Sequence, residues 1–236
     1  MSDQATRPAR TPANRRKAAV DDSEALGIRE RNLRLILKAA SQEFAAKGFQ
    51  AARTEDIAAR VGLPKANVYY YFQNKRNLYA RVLETLVEPL LQAAALLRAE
   101  LPPEQALPAY IEARMRVAHE HPHTYKAVLG EMLLGARQLP APCGERLRQA
   151  AQDNLACLRN WMERGLIATA DPQHLLLFLW SATQAHTHFG WQASLITGKT
   201  RPAEADYRAV AESVSRLVLG ALAVDGARGR LRPFPL

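Results

Sequence analysis

The stretch Thr54-Glu-Asp-Ile-Ala-Ala-Arg-Val-Gly-Leu-Pro-Lys-Ala-Asn-Val-Tyr-Tyr-Tyr-Phe72 decides the reading of this chain. Thr54 precedes Glu55 and Asp56, a hydroxyl N-cap followed by acids that suit the positive end of a helix. Ile57, Ala58 and Val61 give that short helix an apolar face, and Gly62 ends it. Pro64 suits a first helical position, where its missing N–H costs nothing, and opens a second short helix from Lys65 to Phe72. Two short helices about a glycine turn make a helix-turn-helix.

A helix of this length can enter the major groove, where it reads bases only if small or polar side chains leave its first turns. Lys65, Ala66, Asn67 and Tyr70 occupy those turns. Asn67 can pair with adenine, Lys65 can reach a guanine or a phosphate, and Tyr70 offers a ring to a thymine methyl and a hydroxyl to phosphate. Tyr69 lies further around the helix and is expected to pack inward. Thr54 and Lys75 stand at the N-termini of the flanking helices, where exposed N–H groups and the helix dipole favour a phosphate oxygen. The blander alternative makes Thr54 only a cap, Lys75 a solvated charge and the tyrosines core.

Charge supports the first reading. The net charge is +9, and residues 1 to 80 hold 15 Lys/Arg against 8 Asp/Glu, whereas the rest of the chain holds 17 against 15. A basic first third joined to a balanced remainder suits a polyanion such as nucleic acid.

Upstream, Leu33, Ile36, Leu37, Ala40 and Phe44 share one face of a helix expected over 28 to 47, with Gly48 as its stop. Residues 1 to 27 carry Arg7, Arg10, Arg15, Arg16 and Lys17 among Pro, Ala, Ser and Asp, and are expected to form a flexible basic arm. Such an arm could enter a minor groove or remain a solvated tail. Downstream, Leu78, Val82, Leu86 and Leu90 mark a helix over 75 to 98, kinked at Pro89. Helical periodicity continues over 104 to 120, 122 to 137, 144 to 164, 172 to 195 and 203 to 223, with Pro and Gly between segments. No segment reads as a strand. The expectation is an all-α fold of about nine helices: an arm (1–27), a three-helix DNA-binding domain (28–74), a helical ligand-binding and dimerisation domain (75–225) and a flexible tail (226–236).

The segment 172 to 195 has two unlike faces. Phe178, Ala182, Ala185, Phe189, Ala193 and Ile196 alternate small and large apolar residues, which suits a homodimer seam shared with Val210, Val214, Leu217 and Ala221 of the last helix. Intramolecular core is the alternative. The opposite face carries Trp180, Gln184, Thr187, His188 and Trp191, aromatic surface mixed with hydrogen-bonding groups, as small-molecule pockets are lined. Plain packing is the alternative there too.

Other chemistries lack an anchor. His119-Glu-His-Pro-His123 matches a zinc-protease spelling, but Pro122 breaks the helix that two histidines would need to share an ion. No nucleophile elbow, phosphate loop or dinucleotide fingerprint occurs, so neither an enzyme nor a bound cofactor or metal is expected. Cys143 and Cys157 lack metal or disulfide spacing and are expected to be reduced thiols. The sequence offers no membrane span and no signal peptide, which points to a cytoplasmic protein.

The run from Thr54 to Phe72, followed by Lys75 and Leu78 and preceded by Phe44 to Phe49, resembles the signature of TetR-family regulators. The resemblance implies a homodimer that sets its third helix in the major groove of a palindromic operator, with DNA contacts from Thr54, Lys65, Asn67, Tyr70, Tyr71 and Lys75. Pro64 departs from the serine usual at that place. The segments His121-Pro-His-Thr-Tyr-Lys-Ala-Val-Leu-Gly-Glu-Met-Leu-Leu-Gly-Ala136 and Asp171-Pro-Gln-His-Leu-Leu-Leu-Phe-Leu-Trp-Ser-Ala-Thr-Gln184 resemble the C-terminal domain of pyrimidine-catabolism (Rut) regulators. That resemblance implies a uracil-like effector between the Trp180 ring and the Gln184 amide, although His188 and Trp191 depart from it. The function expected is a repressor released by a small molecule; the alternative is a DNA-binding protein that senses none.

Overall fold

The computed structural model describes residues 12–224, without the side chains of 12–26, His186 and His188. Among the described residues there are ten helices and no strand: α1 (Pro12–Ala51), α2 (Thr54–Val61), α3 (Lys65–Phe72), α4 (Lys75–Ala94), α5 (Pro103–Glu120), α6 (Pro122–Leu133), α7 (Ala141–Glu163), α8 (Pro172–His188), α9 (Gly190–Thr197) and α10 (Glu204–Leu222). The architecture is all-α, as the sequence led us to expect.

Several boundaries differ from expectation: α4 ends at Ala94 and α6 at Leu133, each four residues early, and α7 starts at Ala141, three residues early. Helix α1 starts at Pro12 and not at residue 28, so residues 12 to 27 of the expected flexible arm have a helical backbone. Pro12 suits a first helical turn, and the following Ala, Arg, Lys and Glu residues are strong helix formers, with no glycine before Gly27. The rest of the arm and the tail from residue 225 lie outside the described residues. Gly48, at φ 73° and ψ 172°, leaves helical geometry, so the long helix stops there as expected and residues 49–51 form a short turn beyond the kink. The segment expected as one helix over 172 to 195 breaks at Phe189 (φ −108°, ψ 37°), where Gly190 weakens the helix and α9 turns away. No residue of α9 is buried, and this break supplies the tenth helix.

Two apolar clusters hold the fold. The first joins Ile36, Ala40 and Phe44 of α1 to Ile57 of α2, Val68 and Phe72 of α3, Leu78, Val82 and Leu86 of α4, and Tyr125 and Val128 of α6. The second joins Leu107, Tyr110 and Ile111 of α5 to Leu158 and Trp161 of α7, Leu176 and Leu179 of α8, and Val218 and Leu222 of α10. Each fully buried Leu, Ile or Phe contributes about 2 to 3 kcal/mol of transfer free energy. The first cluster matters for function because it runs without interruption from the helix-turn-helix into α6.

Buried acids lock the same region. Glu43 of α1, almost wholly buried, meets Arg60 of α2 at 3.1 Å and Lys47 at 2.6 Å, and Lys47 also reaches Asp56 at 2.8 Å. These pairs fix the angle between α1 and α2. Glu131 of α6 accepts from the Tyr79 hydroxyl of α4 (3.2 Å) and from the Gln138 backbone N–H (2.7 Å).

Candidate nucleic-acid interface and ligand cavity

Helix α2 is not capped by Thr54. Its N-cap is Arg53, extended and without a side-chain cap, and Thr54 is the first helical residue. Thr54 is buried, with Oγ1 3.2 Å from the Tyr69 hydroxyl. The expected phosphate-binding hydroxyl therefore ties α2 to α3. Gly62 ends α2 in the left-handed region at φ 67°, a conformation that costs glycine nothing.

Pro64 is the N-cap of α3, one place earlier than expected, and its carbonyl accepts from the Asn67 N–H at 2.9 Å. Val68 and Phe72 turn into the core, which leaves Lys65, Ala66, Tyr69 and Tyr70 exposed and Asn67 at the edge. Tyr70 is 74% exposed. Lys65 pairs with Glu55 and lies 5.3 Å from the centre of the Tyr69 ring, and this lysine holds the Glu55 carboxyl down at about 2. Tyr69 is thus surface and not core: its hydroxyl is satisfied by Thr54 while much of its ring faces out. Tyr71 is half-buried, accepts from Asn32 Nδ2 at 3.4 Å and supports the Tyr70 ring edge-on at 5.2 Å.

Lys75 departs most from expectation. Its ammonium donates to the carbonyls of Gln50 (3.0 Å) and Ala52 (3.1 Å) and sits 4.9 Å from the Phe49 ring centre. A cation there satisfies carbonyls at the end of α1, so Lys75 fastens α4 to α1. Asn74 caps α4 by accepting from the Asn77 N–H at 2.8 Å. The sequence reading missed Arg53 and Arg76, both exposed beside these helix starts. The charge excess of the first 80 residues was their signal.

The second site is a cavity of about 100 Å³ among α4, α5, α6, α7 and α8. Its walls include Leu86, Leu90, Tyr110, Val128 and Trp180, and its polar groups come from Arg114, Tyr125, Asn154 and Gln184. Trp180 Nε1 donates to the Tyr110 hydroxyl at 2.9 Å, which fixes both rings. Arg114 is 6% exposed, donates from Nε to Thr183 Oγ1 at 3.0 Å, and packs against the Tyr110 and Trp180 rings. The Tyr125 hydroxyl is buried and has no hydrogen-bond partner. Burial pushes its pKa up; Arg114 and Gln184 approach it and act in the opposite sense without completing a hydrogen bond. Larger hollows are surface grooves, such as one between α5 and α10 lined by Glu112, Arg116, Glu120, Glu204 and Arg208.

Of the four ligand residues expected, Trp180 and Gln184 line this cavity. Thr187 instead lines a separate hollow with Phe44, Phe49, Tyr79 and Glu131, between α1 and α6. The His188 side chain lies outside the described residues. Trp191 is 72% exposed on α9. Arg114, Tyr125 and Asn154 were missed. Arg114 had a signal: it interrupts the apolar stripe Tyr110, Ile111, Met115, Ala118, and a charge on a core stripe needs a reason.

The face expected for dimerisation is open. Phe178 and Phe189 are more than half exposed, as is Leu217, and Ala221 is exposed beside it. Ala182, Ala185, Val210 and Val214 are half-buried, and the two valines also pack on the second cluster. His119 of the zinc-protease spelling lies 5.1 Å from the Tyr207 ring, and His121 ends α5. Among the described residues no helix is long and apolar enough to cross a membrane.

Comparison with known proteins agrees with this geometry. Residues 36–82 match the family model for bacterial regulatory proteins of the tetR family, and residues 83–225 match that of the YcdC-like protein C-terminal region. The chain is 31% identical over 195 residues to the HTH-type transcriptional regulator RutR of Escherichia coli K12, covering 83% of this chain and 90% of that protein. It is 33% identical over 145 residues to the HTH-type transcriptional repressor SCO4008 of Streptomyces coelicolor, covering 61% and 71%. Among solved structures, the ketosteroid transcriptional regulator KstR2 of Mycobacterium tuberculosis superposes with a TM-score of 0.69 over 82% of this chain and 96% of that one. At 17% identity, that likeness concerns the fold alone.

Proposed function

This chain belongs to the TetR family of bacterial regulatory proteins, and on that premise we propose that it is a homodimeric repressor released from a palindromic operator by a small planar molecule held between Trp180 and Gln184. It is a helix-turn-helix transcriptional regulator and not an enzyme. Helix α3 enters the major groove, with Ala66, Asn67 and Tyr70 toward base edges and Lys65 toward base or phosphate. Tyr71 supports Tyr70 and places its hydroxyl near the backbone, while Thr54 and Lys75 act from behind, by fixing α3 and α4. Two copies pair through the open face of α8 and α10, and the pairing sets the distance between their recognition helices.

One observation carries the effector reading: a cavity whose buried Tyr125 hydroxyl lacks the partner that buried polar groups otherwise find, beside a buried arginine, Arg114, that has no counter-charge among the described residues. The ligand-free alternative would leave those groups desolvated for no return. The Trp180 wall and the Gln184 amide suit a nitrogen heterocycle of the pyrimidine kind, flat for stacking and able to donate and accept at one edge. Fluorescence anisotropy of operator DNA, with single-ring compounds titrated into the complex, tests this. Release is expected, together with its loss in Trp180→Ala. Operator affinity unmoved by any compound that binds the protein would refute the coupling.

A further inference from the structure

We infer that the effector of this cavity is an anion, a single-ring carboxylate whose acid group sits on the guanidinium of Arg114 and whose ring lies against Trp180. The inference rests on reading the cavity as the effector site and adds the charge of what fills it. Arg114 is a permanent cation, because a guanidinium does not lose its proton in a protein. It is 6% exposed, and its described polar contact is the Nε–H bond to the neutral Thr183 hydroxyl at 3.0 Å. No carboxylate pairs with it among the described residues, and the residues lining the cavity include no Asp or Glu.

Buried charges in proteins are paired or hydrogen-bonded, because removing an ion from water is costly. The two buried acids among the described residues follow that rule, Glu43 with Arg60 and Lys47, and Glu131 with the Tyr79 hydroxyl and the Gln138 N–H. Arg114, at the wall of a hollow, has a neutral hydrogen-bond partner and no counter-charge among the described residues. The Nε bond to Thr183 turns one edge of the guanidinium toward α8, and the Tyr110 and Trp180 rings, with centres at 5.6 and 5.8 Å, hold its plane. The guanidinium also approaches the Tyr125 hydroxyl; its terminal nitrogens, for which no hydrogen bond is described, carry two parallel donors that match the two oxygens of a carboxylate.

The remaining lining fits the rest of such a molecule. The Tyr125 hydroxyl has no partner and can donate to a carboxylate oxygen, as can the buried Asn154 amide. The apolar walls and the Trp180 ring take a flat ring. The cavity of about 100 Å³ is smaller than the apolar cavity of about 150 Å³ that accommodates benzene, so a single ring with its carboxylate enters only as the surrounding helices move apart, and a fused system is disfavoured further.

The test uses matched pairs that differ only in charge, benzoate with benzamide and orotate with orotamide, together with uracil as a neutral ring. Each is titrated by calorimetry into the full-length protein and, in parallel, into its operator complex. A carboxylate is expected to bind at least tenfold more tightly than its amide. Arg114→Met should abolish that preference and Arg114→Lys should retain part of it. If Arg114→Met does not fold, the carboxylate-to-amide ratio of the natural protein and its change in Arg114→Lys decide the matter. An amide or uracil that binds as tightly as the acids and releases operator overturns the charge inference and leaves the effector reading standing. If no ring of either charge binds, both fall.

Discussion

Replacing Tyr125 by Phe removes a single oxygen, and its expected effect on stability is opposite to that of most core substitutions. A buried tyrosine hydroxyl ordinarily makes a hydrogen bond, and deleting it costs about 1 kcal/mol. Here the residue is 1% exposed and the hydroxyl has no partner, so the ligand-free protein carries a desolvation cost without compensation. Removing that oxygen recovers about 1 to 3 kcal/mol. The ring stays where it is, packed in the first core cluster, and no methylene is lost. For a chain of this size each kcal/mol moves the melting temperature by about 2 to 4 °C, so a rise of about 2 to 12 °C is expected in the free protein. In the presence of an effector the ranking should invert, because Phe cannot donate to the ligand. Differential scanning calorimetry with and without ligand measures both. A melting temperature that falls in the free protein would show that the hydroxyl is already satisfied, by ordered water for example, and would remove one of the two supports for an unfilled site.

Three further outcomes follow from the geometry. Lys75→Met should weaken operator binding by loosening α4 from α1 while leaving the salt dependence of binding unchanged; a slope reduced by about 0.9 would instead identify Lys75 as a phosphate contact. Leu217→Glu places a charge on an exposed apolar face and should convert the dimer to monomers in sedimentation at unchanged helicity; an intact dimer would move the seam elsewhere. Glu55 is held at about 2 by Lys65, below its ordinary 4.5, so its contribution to stability is present above about pH 4.5 and is lost as pH falls toward 2. Acid unfolding of Glu55→Gln should be shallower across that window, by a small amount because the pair is exposed. An unchanged acid limb would show the pair to be inert.

The helix-turn-helix was legible because its determinants are local. Gly62, Pro64 and the spacing of Ile57, Val68 and Phe72 act within a few residues of where they stand. What escaped depended on partners far along the chain. Lys75 could not be separated from a phosphate contact, since the carbonyls that hold it belong to Gln50 and Ala52. Thr54 was taken for a cap because nothing local reveals that its hydroxyl meets Tyr69, fifteen residues on. The cavity was half legible for the same reason. Trp180 and Gln184 share one helix face and could be named together, whereas Arg114, Tyr125 and Asn154 join them only when α5, α6 and α7 close around α8. Thr187 lies on that same face, but it stands almost a full turn beyond Gln184, past the cavity and at the seam with α1.

That displacement of Thr187 bears on how a ligand could act at a distance. Helix α8 presents Trp180 and Gln184 to the cavity and Thr187 to the hollow beside Phe44, Phe49 and Tyr79, so one rigid element borders both sites. Helix α4 does the same from the other side. Leu86 and Leu90 line the cavity, while Tyr79, two turns earlier, bonds to Glu131 of α6 and packs on Phe44 and Phe49 at 4.7 and 5.0 Å. At the start of α4, Lys75 is fastened to the end of α1. A molecule that spreads α4 from α8 would thus move a helix that shares one apolar cluster with α2 and α3. Tight packing resists continuous deformation, so the shift is passed on as a change in the angle of α3. A hundredfold loss of operator affinity requires about 2.7 kcal/mol of coupling, which is also the limit on how much more tightly the effector must bind the released form. One charge-assisted contact at Arg114, if made in the released form alone, would be of that size.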